Sequence, residues 1–68
     1  MSDLDRVLLN VDELEAMKLC DYEGLDQTQA AERMEISRGT VQRLLYSGRK
    51  KLIDAIINTK AITIQSFD

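Results

Sequence analysis

Histidine, proline and tryptophan are absent from this 68-residue chain, cysteine occurs once, at Cys20, and aromatic residues make up 4% of it. Each absence closes off a class of function. A lone cysteine forms no disulfide within the chain, and without histidine a zinc site lacks its usual ligands. The same shortage removes the ordinary nucleophile and acid–base arrangements, so the chain is expected not to be an enzyme and to carry no cofactor. Cys20 itself reads as a small buried hydrophobe, because free cysteine packs well and no charged activator is evident. Long apolar runs are missing too: Val7-Leu8-Leu9 follows an acidic start and is too short for a signal-peptide core or a membrane span. The expectation is a cytoplasmic protein with no membrane partner.

What remains is one unit. With 44% hydrophobic residues, three dispersed glycines and no repeat or low-complexity stretch, residues 1–68 are read as a single domain with one small core. A core of that size contributes only about 3–5 kcal/mol net, so small domains lean on disulfides, metals or a partner subunit. Composition disfavours the first two here, which leaves self-association.

Charge is distributed unevenly along the chain. The formal net charge is −3, which argues at first against nucleic acid, yet residues 1–36 hold ten acids and three bases whereas residues 37–51 hold five bases and no acid. One basic element therefore sits on an acidic body, and the acids over residues 12–35 read most simply as a solubilising face.

Local signals give a mainly α fold with short terminal strands. Residues 6–10 place Val7 and Leu9 on one face of a strand, and residues 61–65 alternate with Ile62 and Ile64 on one face. An isolated two-stranded ribbon is marginal in water, so these strands must pack on helices or on a second chain. Asn10 followed three residues later by Glu13 resembles a capping box and opens a first helix over 11–22, with Leu14, Met17 and Cys20 expected inward and Gly24 as the stop. Asp26 with Gln29 repeats the signature and opens a second helix over 27–34, burying Ala30, Ala31 and Met34. Ser37 caps a third helix over 38–58, along which Val41, Leu44, Leu45, Gly48, Leu52, Ile53, Ile56 and Ile57 keep helical periodicity. A helix of that length reaches about 31 Å, beyond what two short helices can cover. Its last turns, Leu52, Ile53, Ile56 and Ile57, together with Ile62 and Ile64, are therefore the expected dimer contact.

Two helices joined by a tight turn, the second basic with an open amino end, describe a helix-turn-helix, whose second helix lies in the major groove of DNA. Ala31 is the small residue where the axes approach, and Ile36, Val41 and Leu44 fill the space between them. With Val41, Leu44, Leu45 and Gly48 inward, the helical wheel leaves Arg38, Gly39, Gln42, Arg43, Tyr46, Arg49 and Lys50 outward. Arg43 and Gln42 are the candidates for base edges, since guanidinium forks onto guanine and carboxamide onto adenine. Arg38 suits a base or a phosphate. Ser37 and Thr40, and Gln27 and Thr28 at the start of the second helix, suit phosphate oxygens at helix amino ends. Gly39 lets a backbone approach the duplex closely. Arg49, Lys50 and Lys51 lie further along, where affinity and salt dependence are set. Tyr46 suits either a phosphate contact or cover for a subunit seam, and Gly48 suits close helix packing.

The run DELEAMKLCDYEGLDQTQAAERMEISRGTVQRLLYSGRKKL, continued by INTKAITI, resembles a family of small bacterial and archaeal proteins of unassigned function whose helix-turn-helix is similar to region four of sigma factors. The likeness covers roughly residues 7–64, carried by the blocks DELEAM, EGLDQ, AAERM and SRGTVQRLL taken together. It implies a DNA-binding transcriptional regulator with double-stranded DNA as partner. Glu35 stands where relatives usually have glycine; in a left-handed backbone it would carry strain of order 1 kcal/mol. The alternative of a different class is a protein-interaction module, a sigma-region-four-like fold docking on RNA polymerase or another regulator through its acidic first helix.

Overall fold

Asn10, Asp26 and Ser37 each stand in extended backbone at the head of a helix, as their side chains demand. The computed structural model describes residues 5–66; positions 1–4 and 67–68 of the expected single unit lie outside the described residues. In chain order the elements are β1 (Arg6–Asn10), α1 (Val11–Met17) running on into a π-wound stretch (Lys18–Tyr22), α2 (Gln27–Met34), α3 (Arg38–Ile57) and β2 (Ala61–Gln65). The fold is mainly helical, with two short parallel strands.

Most boundaries follow the capping and turn signals. Glu13 Oε1 accepts the Asn10 N–H at 2.9 Å, and Asp26 and Gln29 bond reciprocally at 2.8 and 2.9 Å. The first helix does not stay α-helical over 11–22: the Glu23 N–H reaches five residues back to the Lys18 carbonyl at 2.9 Å, the wider winding, and Gly24 at φ +82° then turns the chain. The third helix ends one residue earlier than expected, at Ile57. Asn58 leaves the helical region and Thr59 adopts φ +53°, which lets the Lys60 N–H bond the Ala55 carbonyl at 2.8 Å.

The terminal strands pair with each other inside one chain, Val7 beside Ile62 and Leu9 beside Ile64. Parallel strands need a long crossover, and here the whole helical body supplies it. Val7 and Leu9 are buried against the helices. Around them the core gathers Ala16, Met17, Leu19, Ala30, Ala31, Val41 and Leu45, with Cys20, Leu25, Met34, Ile36 and Leu44 packed on its margin. Leu19, Leu45 and Val41 are the largest fully enclosed side chains, each contributing roughly 1.5–3 kcal/mol on leaving water.

The inward arc of α1 differs from the one periodicity gave. It is centred on Glu13, Ala16 and Met17, so Leu14 lies off its edge, 39% exposed, and Cys20 is only half-buried. A buried glutamate displaces an available leucine because its carboxylate is fully engaged: it accepts from the Asn10 N–H, from Ser47 Oγ and from Lys51 Nζ at 2.8 Å. Burial pushes the Glu13 carboxyl up, but the Lys51, Ser47 and Asn10 hydrogen bonds together outweigh it and hold the group below the usual carboxylate range. Opposite it on α3, a side chain at Gly48 would place a Cβ 3.2 Å from Glu13 Cβ and 3.0 Å from Met17 Cε, so at this approach any larger residue makes its neighbours give by a few tenths of an ångström.

Candidate nucleic-acid interface

The joint between α2 and α3 is three residues long. Glu35 takes a left-handed backbone (φ 60°, ψ 45°), and the Ile36 N–H bonds the Ala31 carbonyl at 3.0 Å, so the carbonyls at the end of α2 are satisfied without a further helical turn. Glu35 therefore carries the backbone strain expected of a residue in that position. Ile36 packs half-buried on the core margin, and Ser37 begins α3 at once. Val41 and Leu45 are held inward, so the angle between α2 and α3 is pinned by a well-packed apolar wedge.

Outward of that wedge, Ser37, Arg38, Gly39, Gln42, Arg43, Tyr46, Arg49 and Lys50 are all exposed, and Thr40 is half-buried. Ser37 Oγ accepts the Thr40 N–H at 3.1 Å and shares a 2.8 Å hydroxyl contact with Thr40 Oγ1, which in turn accepts from Arg43 Nη2 at 3.3 Å. These three side chains form one polar edge rising from the amino end of α3. A Cβ at Gly39 would meet nothing closer than Arg43 Nη1 at 3.9 Å, so no neighbour within the chain requires glycine there.

Gln27, Thr28, Arg38 and Arg49 line one open depression together with Asp21 and Asp26, and Gln27, Gln42, Tyr46, Arg49 and Lys50 border an adjoining groove that also includes Ile53 and Ile57. Ser37, Thr40 and Arg43 belong to neither hollow. Ile53 is 53% and Ile57 71% exposed, and Tyr46 is 72% exposed beside them along the helix. The apolar end expected on α3 is thus present, and it continues the polar face instead of lying opposite it.

Arg49 departs from its expected role as a free phosphate contact. Its guanidinium forks onto Asp21, Nη2 to Oδ1 at 2.6 Å and Nε to Oδ2 at 3.1 Å, and this pair holds the Asp21 carboxyl below its ordinary range. Lys51 is likewise engaged, by Glu13. Among the described residues Arg38, Arg43 and Lys50 form no ion pair, and they are the free cations on this face. Neither Asp21 nor Glu13 was singled out as a partner. Each lies 28 or more positions away from the base it neutralises, with no periodic signal joining them.

Gln27 and Thr28 stand at the head of α2 as expected, but Asp26 caps that end with a carboxylate. An anion arriving there would meet a negative group already in place, whereas the amino end of α3 is capped by the neutral hydroxyl of Ser37.

The described residues contain no cluster of three or more potential metal ligands, and no helix among them is long and apolar enough to cross a membrane. A family described as a protein of unknown function, DUF134, matches residues 1–68. The chain belongs to this family. It is 51% identical over 65 residues to a UPF0251 protein of Thermoanaerobacter pseudethanolicus, covering 96% of this chain and 55% of that protein. A UPF0251 protein of Caldanaerobacter subterraneus is 46% identical with the same coverage, and one of Prosthecochloris aestuarii is 47% identical over 62 residues, covering 91% of this chain and 40% of that protein. The chain thus spans about half the length of the UPF0251 relatives it matches. No solved structure matches it significantly.

Proposed function

We propose that the chain is a sequence-specific DNA-binding transcriptional regulator, with α2 and α3 forming a helix-turn-helix and α3 entering the major groove. One observation carries the reading: Arg38, Gln42, Arg43 and Lys50 stand exposed on the outer arc of α3, whose inner arc packs into the core through the fully enclosed Val41 and Leu45. A rigid helix presenting hydrogen-bonding side chains to solvent is the geometry that base-edge recognition requires.

Two further features support it. The amino end of α3 is open and capped by a hydroxyl, Ser37, so its first amides and helix dipole suit a phosphate. Glycine at an exposed position of a helix costs about 1 kcal/mol relative to alanine. At Gly39 no contact within the chain explains that cost, whereas close approach to a DNA backbone does.

In this assignment Arg43 and Gln42 read bases, Arg38 reads a base or holds a phosphate, and Ser37, Thr40 and Lys50 hold the backbone. Arg49 stays on Asp21. With Lys50, and Arg38 where it holds a phosphate, neutralising the DNA backbone, the logarithm of affinity falls against the logarithm of salt with a slope of about −1 to −2 per bound chain. An anisotropy titration of labelled duplex over a salt series measures that slope, and a pool of random duplexes enriched by repeated binding reports the sequence read. Binding that does not weaken with salt, or a pool that never converges, refutes the proposal; a stable complex with RNA polymerase unaffected by neutralising Arg38 and Arg43 would favour a protein-docking role instead.

A further inference from the structure

We infer that β2 is an unfinished sheet edge that a second copy of this chain completes, the two β2 strands pairing antiparallel about a two-fold axis at Thr63. Two-stranded parallel sheets are normally covered on both faces. Here Leu8 is 49% exposed on one face, while Ile62 and Ile64, on the face that Val7 and Leu9 bury, remain 41% and 48% exposed. Among the described residues the core stops one strand short.

The backbone specifies how it would be finished. The Ala61 N–H bonds the Asp5 carbonyl at 3.0 Å, so residues 61, 63 and 65 turn their amides toward β1 and, by the alternation of a strand, Ile62 and Ile64 turn theirs to the free edge. An antiparallel copy centred on Thr63 sets Ile62 opposite Ile64 of the second copy, and Ile64 opposite Ile62. Both outward-facing residues are then hydrogen-bonded, and every isoleucine gains an isoleucine neighbour. The free edge of β1 offers no such gain, because its inward Val7 and Leu9 are already buried and its outward amides belong to Arg6, Leu8 and Asn10.

Protected edges usually carry lysine, proline or a bulge. The strand Ala-Ile-Thr-Ile-Gln has none of these side chains, and the adjacent Lys60 is tied to Asp54 at 2.9 Å. A three-residue connection joins β2 to the end of α3, where Ile53, Ile56 and Ile57 are 53%, 64% and 71% exposed. Complete cover of these side chains with Leu52, Ile62 and Ile64 in both copies would bury on the order of 1,000 Å², the lower bound of a specific interface.

The test uses the full chain without DNA. Sedimentation equilibrium well above micromolar concentration is expected to give twice the 7.7 kDa chain mass, and Ile64→Lys to return it to one chain with unchanged helical circular dichroism. Independently, Thr63→Cys in a Cys20→Ser background should cross-link to a reducible dimer under mild oxidation. Opposed Cα atoms in antiparallel strands lie about 4.5–5.5 Å apart, within disulfide reach, and Glu32→Cys in the same background should not cross-link. If Ile64→Lys unfolds, the cross-link decides. A single-chain mass for the parent, or a dimer that Thr63→Cys does not trap, overturns the inference. A monomer that still binds DNA would leave the proposed function standing, and a dimer that ignores DNA would leave this interface standing.

Discussion

Removing Lys51 should destabilise this protein more than removing the charge it neutralises. Glu13 has 4% of its side chain exposed and Lys51 33%, with Nζ 2.8 Å from Oε1. In Lys51→Met the carboxylate stays enclosed, with only the Asn10 amide and the Ser47 hydroxyl as donors. Stranding a buried charge costs about 3–5 kcal/mol. Because this pair is partly wet, the low end of about 3 kcal/mol applies. In Glu13→Gln the ammonium that loses its partner already reaches water and can be rehydrated. The loss is then one charge-assisted hydrogen bond, about 1.5–2 kcal/mol. The double variant should cost less than the sum, since neither charge is left facing an empty place.

Urea and thermal unfolding followed by circular dichroism, at fixed chain concentration, measure all four proteins. At about 4–8 °C per kcal/mol for a domain of this size, Lys51→Met should lower Tm by about 12–24 °C. The pH dependence sharpens the test. Glu13 is held below its unfolded pKa in the parent, so its stabilisation is complete above the ordinary carboxylate range and is lost as pH falls through the folded value. Glu13→Gln should flatten that acid limb. In Lys51→Met the lysine hydrogen bond and charge that oppose burial are gone, so the carboxyl pKa should rise relative to the parent and the deficit of this variant should shrink as pH falls and Glu13 becomes neutral. Strictly additive single-variant effects, or a Lys51→Met deficit equal at neutral and acid pH, would show that the buried carboxylate does not govern the α1–α3 contact.

Glu35→Gly should raise stability by up to about 1 kcal/mol, because the left-handed backbone at that position strains any residue with a Cβ; thermal unfolding checks it, and a loss would mean the Glu35 side chain contributes a contact beyond its backbone. Arg43→Ala should relax base preference at one position of the bound sequence by about 1–3 kcal/mol, whereas Lys50→Ala should weaken all sequences evenly and reduce the salt slope by about one; equal effects of both on every duplex would contradict the division of roles. Asp21→Ala releases Arg49 from its fork and should tighten DNA binding with a steeper salt dependence, measured in the same anisotropy series.

The positions of the helices were legible because their causes are local. Asn10, Asp26 and Ser37 act on amides within three residues, Gly24 acts on its own φ, and the inward set Ala30, Ala31, Val41 and Leu45 repeats at helical spacing. The strands were legible as alternation, but their parallel pairing was not, since it joins residues 55 positions apart in sequence. The same separation hid the fate of the cations. Residues 37–51 carry five bases on one helix, and nothing in that run distinguishes the two that fold back from the three that do not.

Position around the helix explains the difference once α1 is in place. Lys51 lies on the edge of α3 that faces Glu13, across the close approach over Gly48, and Arg49 lies on the opposite edge, beside the π-wound stretch that carries Asp21. Arg43 and Lys50 occupy the arc between, out of reach of α1's acids, while Arg38 lies along Arg49's flank three turns earlier and forms no ion pair among the described residues. The acidic body therefore sorts the cations of α3 instead of simply lowering net charge: it holds Arg49 and Lys51 as struts against α1 and its π-wound extension and leaves Arg43 and Lys50 without an ion pair. A consequence is that charge reversal at the two kinds of position must separate experimentally. Changes at Glu13 or Lys51 should move Tm while leaving the salt slope of any remaining DNA binding intact, and a change at Lys50 should do the reverse. One variant set that moved both quantities in proportion would show that strut and unpaired cation are not distinct.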